Sequence, residues 1–187
     1  GGKVEDMAAF FSEARHADIP ILPPDVNESD KHFTVHSGRI RFGLAAVKNV
    51  GEAAVEGIIL ARQKDGLFHS FGEFCSRVDL GMLNMRMIES LIKVGAFDSL
   101  GARRSQLLDI LPAMMESTIT RQREALRGQA SLFDVLDSDT EAADQGAPDG
   151  GLTLPLRDIP EISNREKLDF EKELVGFYVS GHPMDLF

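Results

Sequence analysis

The stretch Leu44–Ile59, "LAAVKNVGEAAVEGII", restricts the fold of this chain more than any other. Apolar Leu44, Val47 and Val50 precede Gly51, and Ala54, Val55, Ile58 and Ile59 follow it at helical spacing. A helical turn, a tight loop and a second helix folded back on the first satisfy both runs. The loop Lys48-Asn49-Val50-Gly51 asks for left-handed or otherwise unusual backbone angles, which Asn and Gly tolerate. Val50 serves as the apolar plug between the helical pieces. The first amides of the following helix, at Gly51, Glu52 and Ala53, have no intrahelical acceptor. Such a helix start attracts anions, and phosphate is the natural ligand, contacted without reading base sequence. Lys48 adds positive charge beside the loop. Glu52 is ambiguous: it suits the helix dipole but repels phosphate if it faces the same way. A bare helical hairpin, with Gly present for steric reasons, accounts for the same residues.

A second unit, "LNMRMIESLIKVGAFDSLG", echoes the first more loosely. Ile88, Leu91, Ile92 and Val94 lead to Gly95, which reads first as a helix C-cap, and Phe97 reads as core. Arg86 and Lys93, seven residues apart, share a helical face from which both can reach a nucleic-acid backbone. Lys48, Asn49, Val50, Gly51, Glu52, Ala53, Arg86, Lys93 and Gly95 are therefore the candidate duplex-DNA contacts. A tandem of helix-hairpin-helix units, basic around both loops, usually straddles a duplex along its minor groove.

Around these hairpins the pattern is mainly helical. Val4–His16 is amphipathic, with Met7, Phe10, Phe11 and Ala14 near one face. Pro20, Pro23 and Pro24 then forbid helix. "HFTVHSGRIRFGL" alternates about a His-Ser-Gly turn, with Phe33 and Val35 mirrored by Ile40 and Phe42, which predicts a short β-hairpin. Further helices are expected over Glu52–Gln63, Ser70–Val78, Asn84–Val94, Arg103–Leu126 (bent near Pro112) and Asn164–Val179. Ser70 with Glu73 forms a capping-box pattern. Between the last two helices, "DVLDSDTEAADQGAPDGG" is acidic, poor in large apolar residues, and reads as a mobile linker. The expected fold class is thus mainly α: a tandem helix-hairpin-helix bundle with a short N-terminal β-hairpin and a partly disordered acidic linker.

Charge narrows the partners. The net charge of −10 argues against a generic nucleic-acid glove. It is uneven, however: residues 39–104 carry +3, whereas residues 134–187 carry −9. A phosphate backbone would meet the middle third. The lone Cys75 excludes an internal disulfide framework, fits a reducing compartment and sits where a buried structural thiol belongs. His16, His32, His36, His69 and His182 have no metal-ligand spacing. No apolar run is long enough for a membrane span, and no secretory leader pattern opens the chain. The initial Gly1-Gly2 suits an excised piece of a longer protein. Lys64 and Asp65, placed where a glycosylase would carry its catalytic groups, fall in a turn without a pocket pattern.

One stretch remains unexplained by folding alone. "GQASLFD" places Leu132 and Phe133 side by side where the chain leaves its helical part. Together with "PPDVNESD", "IRFGLAAVKNVGEAAVEGII", "LNMRMIESLIKVGAFDSLG" and "EKELVGFYVSGHPMD", it resembles the alpha subunits of bacterial DNA polymerase III, the C-family replicative polymerases, in order over nearly the whole chain. The resemblance implies the end of the fingers at 1–43, a tandem hairpin DNA-binding domain at 44–127, and a sliding-clamp-binding peptide at 128–134. A flexible acidic linker at 135–162 and a C-terminal helix leading to the next domain at 163–187 would follow. It makes Gln129, Ala130, Ser131, Leu132 and Phe133 the clamp contacts, with Gln129 at the pocket rim and Leu132 and Phe133 as anchors. Ala130 stands where the family pattern prefers Leu. Duplex DNA, the sliding clamp (the beta subunit) and other replisome subunits are the implied partners, in the cytoplasm. The family's polymerase chemistry needs Mg²⁺ in a palm that this segment lacks, so neither catalysis nor a cofactor is expected here. A helix-hairpin-helix interaction scaffold without DNA contact is the alternative.

Overall fold

The computed structural model describes residues 2–78, 83–132 and 154–176, with the backbone alone for 2–8 and 129–132. Helix α1 spans Gly2–His16, and Asp18 then turns the chain with a φ of 54°. The prolines keep the next stretch extended, and Ile21–Leu22 forms strand β1. The expected hairpin follows as β2, Thr34–His36, and β3, Arg39–Arg41. Ser37 and Gly38 turn it with φ values of 51° and 72°, the sign that matches the twist of paired strands. Strand β1 is an addition to the expected hairpin. It pairs in parallel with β3, giving the order β1-β3-β2 with Ile21 opposite Ile40; two residues are too few to leave a periodic signature.

The N-terminal apolar cluster is smaller than the alternation implies. Phe11 lies 5.3 Å from Phe33 and 5.8 Å from Phe42, ring centre to ring centre. Ala14, Ile40 and Phe42 are buried. Val35, directly opposite Ile40 on the edge strand β2, is instead 70% exposed, and Phe10 is 49% exposed. Met7 lies among the residues described by backbone alone.

The loop after the prolines is tied into three other segments. The Asp25 carboxylate accepts the N–H groups of Asn27 and Glu28. Ser29 Oγ accepts from the Asp25 N–H and donates to the Phe42 carbonyl. The Asn27 amide pairs with the backbone of Phe68, donating to its carbonyl at 2.9 Å and accepting from its N–H at 2.8 Å. The Val26 N–H donates to the Ala96 carbonyl at 3.0 Å.

The helical part begins with a 3-10 turn at Leu44–Ala46, then α2 at Glu52–Asp65, α3 at Phe71–Arg77 and α4 at Met85–Lys93. Gly66, with a φ of 88°, ends α2. Ser70 caps α3 by accepting from the Glu73 N–H, while the Glu73 carboxylate accepts from the His69 N–H, one residue before the cap. Asn84 caps α4 through the Met87 N–H. Edge-to-face contacts of Phe68 with Phe74, and of Phe71 and Phe74 with Phe97, build the helical part of the core, at 4.8 to 5.1 Å. Cys75 is fully enclosed there, and burial pushes its thiol up to about 12.

Helix α5 runs from Arg104 to Leu132, longer than the expected Arg103–Leu126. It continues through Pro112, whose missing N–H leaves the Leu108 carbonyl without its usual helical donor. The extension follows from the strong helix formers Glu124, Ala125, Leu126, Arg127, Gln129 and Ala130, interrupted by Gly128 alone. Residues 135–153 of the expected linker lie outside the described residues, but 154–162 depart from that expectation. They are a strap docked along the start of α5. Arg103 bonds to Asp158 and to the Ile159 carbonyl, Gln106 to the Arg157 carbonyl, and Arg157 pairs with Asp109 at 3.1 Å. Glu161 accepts from the N–H groups of Arg104 and Ser105, both at 3.0 Å. This caps the first turn of α5 with a carboxylate, as the helix dipole favours. Helix α6, Asn164–Val175, opens with a full capping box of Ser163 and Glu166. It stops short of the expected Val179 because Gly176 adopts a left-handed φ of 93°.

Two outcomes follow. Replacing Asn27 with Ala leaves the buried N–H and carbonyl of Phe68 without partners, and chemical denaturation should read a loss of about 2 kcal/mol or more. Asn27→Asp, which keeps an acceptor but no donor, should fall between that variant and wild type. For Glu161, partial burial opposes the charge, but the N–H groups of Ser105, Ile162 and Arg104 and the charge of Lys167 outweigh it. The carboxyl is therefore held below its ordinary value of 4.5. Its stabilisation is complete above that value and lost as the pH falls through the lower folded-state value. The stability advantage of wild type over Glu161→Gln, measured by denaturation from pH 6 downward, should shrink below about pH 4.5.

Candidate nucleic-acid interface

The first hairpin loop is held at a defined angle and left open on one side. Leu44, Val47, Val50, Ala54, Val55 and Ile58 are buried, so Val50 plugs the hairpin as its position requires. Asn49 takes the left-handed conformation, with a φ of 72°. Gly51 precedes α2 in an extended conformation, with no side-chain cap. A Cβ added at Gly51 would meet nothing within 4 Å. Gly51, Glu52 and Ala53 are all exposed, which leaves the start of α2 accessible.

The two readings of Glu52 are separated by Lys31, a residue outside the motif. Its ammonium lies 2.9 Å from Glu52 and 2.9 Å from Glu56. The hydrogen bonds to Glu52 and Glu56 raise the Lys31 pKa above its ordinary value. The Glu52 carboxylate therefore carries a counter-ion along the flank of α2.

The loop is also joined to the second unit and to the C-terminal helix. The Lys48 N–H donates to the Leu174 carbonyl at 2.7 Å, while its side chain belongs to an exposed residue. The Asn49 Nδ2 donates to Ser90 Oγ at 3.1 Å. Ser90 is 3% exposed and its hydroxyl donates to the Arg86 carbonyl at 2.9 Å. Arg86 is exposed. A hollow of about 110 Å³ opens where these pieces meet, lined by Asn49, Arg86, Glu89, Ser90, Lys93, Glu173 and Leu174.

Lys93, expected to face a backbone alongside Arg86, is drawn to α6 and its own helix. It lies 2.7 Å from Glu89 and 4.8 Å above the Phe170 ring. Gly95 keeps the C-cap role read first for it. It has a φ of 86°, and a Cβ there would fall 2.4 Å from the Arg104 guanidinium. Its N–H donates to the Ile92 carbonyl at 3.1 Å, as a C-cap requires. Arg104, 5% exposed, spans the loop by bonding Asp98 at 2.8 Å and the Lys93 carbonyl at 3.0 Å. The second loop is therefore sealed: Gly95 is there for backbone angle and close approach. Phe97 is core, as expected.

Sequence reasoning missed Lys31, Ser90, Arg104 and Leu174, whose roles depend on contacts between distant segments. The backbone of Gln129, Ala130, Ser131 and Leu132 continues α5, and not an extended peptide. Their side chains, and Phe133 entirely, lie outside the described residues. Among the described residues there is no group of three or more His, Cys, Asp or Glu arranged to hold a metal ion. No described helix is long and apolar enough to cross a membrane.

A helix-hairpin-helix motif family model matches residues 18–107. The DNA polymerase III subunit alpha of Neisseria meningitidis serogroup B (strain MC58) is 39% identical over 180 residues, covering 96% of this chain. The subunit of the same name from Mycobacterium tuberculosis is 38% identical over 186 residues, or 99% of the chain. That of Deinococcus radiodurans is 38% identical over 185 residues, or 97% of the chain. The chain spans about 15% of the length of the first of these relatives.

Proposed function

Starting from a chain homologous along nearly its whole length to one segment of bacterial DNA polymerase III alpha subunits, we propose that it holds duplex DNA by its sugar–phosphate backbone and, through QASLF, the sliding clamp. In the longer cytoplasmic protein these two grips would support processive synthesis alongside other replisome subunits. Polymerase chemistry would belong to a Mg²⁺-binding palm elsewhere in that protein. No catalytic step is assigned to the residues of this segment.

The open start of α2, beside Lys48 and the left-handed Asn49, carries the reading. Phosphate oxygens suit N–H groups at a helix start, and a contact of that kind positions the protein without reading bases. Arg86, on the same joined frame, offers a second cation. For the clamp, support comes from the residues Gln129, Ser131, Leu132 and Phe133 themselves and from the homology. Because Gln129–Leu132 extend α5, seating them in a pocket in extended form requires unwinding of the helix end. Few turns are lost, and terminal turns fray readily. Tethering to a ring on the DNA would raise the effective DNA concentration without any new base contact.

Titration of a labelled duplex at low salt tests the first grip. Wild type should bind with a logarithmic salt dependence, and Lys48→Glu with Arg86→Glu should weaken it on the order of tenfold or more and flatten the salt slope. Absence of wild-type binding would favour the scaffold alternative. For the second grip, Leu132→Ala with Phe133→Ala should reduce binding to a purified sliding clamp about 30-fold or more, with duplex binding retained. An unchanged clamp affinity would refute the peptide assignment.

A further inference from the structure

We infer that Asn49 and Ser90 are positioning residues that lock the two hairpins into one DNA-binding frame, setting the open start of α2 in register with Arg86. The inference rests on the duplex-binding reading above and adds a coupling between its two halves. Lys48 and Arg86 belong to different hairpins, 38 residues apart in sequence. Cations on two independently moving pieces would each pay a separate ordering entropy on binding; a shared frame removes that cost in advance.

A relay of hydrogen bonds links the two. The Asn49 amide donates to Ser90 Oγ at 3.1 Å, and the same hydroxyl donates to the Arg86 carbonyl at 2.9 Å. Ser90 is nearly fully enclosed, and Asn49 is half-buried at the edge of the hollow. Its geometry also explains the residue at 49. Glycine would supply the φ of 72° without strain, but only a side-chain amide supplies that angle together with a donor aimed at α4. The Lys48 N–H bond to Leu174 holds the loop from its other side. A serine inside a helix commonly bonds its i−4 carbonyl; here the hydroxyl keeps that bond and still receives the Asn49 donor.

The variants Asn49→Gly and Ser90→Ala separate this role from folding. Glycine keeps the loop conformation, and alanine keeps the helix. Both should leave the urea midpoint close to wild type while weakening duplex binding about three- to tenfold. Their effects should not add in the double variant, because either one breaks the same relay. Arg86→Ala is the diagnostic partner. If Ser90 acts through Arg86, Ser90→Ala should cost little in an Arg86→Ala background, and the salt slope should drop by nearly the same amount in either single variant. Wild-type duplex affinity in both Asn49→Gly and Ser90→Ala, or full additivity of Ser90→Ala with Arg86→Ala, would overturn the inference while leaving the DNA-binding reading intact. Failure of the unsubstituted chain to bind duplex would remove both.

Discussion

The pairing of the Asn27 side chain with the backbone of Phe68 is the constraint from which the rest of the arrangement follows. An amide that both donates to and accepts from one residue's main chain acts like a rung of β-sheet supplied by a side chain. It fixes the segment between α2 and α3 against the proline-rich loop. Val26 extends the same loop to Ala96 in the second hairpin, and Ser29 extends it to Phe42 beside the sheet. Arg62 on α2 returns to the Val26 carbonyl. One short irregular stretch therefore satisfies backbone groups from the sheet, the first hairpin and the second. Its own polar groups are satisfied in turn, as enclosed loops require.

On that frame two similar glycine loops have opposite fates. The first keeps its helix start bare, with Gly51 facing open space. The second is closed by Arg104, which reaches across to Asp98 and the end of α4. The difference lies in neighbours: a guanidinium arriving from the next helix converts a loop of binding-type geometry into a packing joint. Helix α6 adds to the division. It accepts from the first loop at Leu174 and takes Lys93 onto the Phe170 ring, while Lys48 and Arg86 stay exposed.

Much of this was legible because the local signals agree with one another. Helical periodicity, Ser70 and Asn84 at helix starts, and Gly66 and Gly95 at helix ends all mark boundaries that the structure keeps. The β-hairpin was visible in its alternation, and the enclosure of Cys75 in its amphipathic surroundings. What stayed hidden is long-range. The strand at Ile21–Leu22 exists only because β3 offers it an edge. The strap at 154–162 reads as linker because its anchoring groups, Arg103 and the first amides of α5, lie about fifty residues upstream. The neighbours of Gly95 and Lys93 stayed hidden for the same reason, since no spacing rule announces Arg104 or Phe170. The end of α6 at Gly176 is the exception: a local glycine signal is present, but the amphipathic periodicity runs on past it.

The enclosure of the single sulfur has a practical meaning. With Cys75 shut inside the Phe68–Phe97 cluster and its proton held tightly, a thiol-selective reagent finds no nucleophile in the folded chain. Labelling must wait for the two-hairpin body to breathe open. The rate at which an alkylating probe accumulates would thus time those openings with one atom, so the protein carries its own clock for that body.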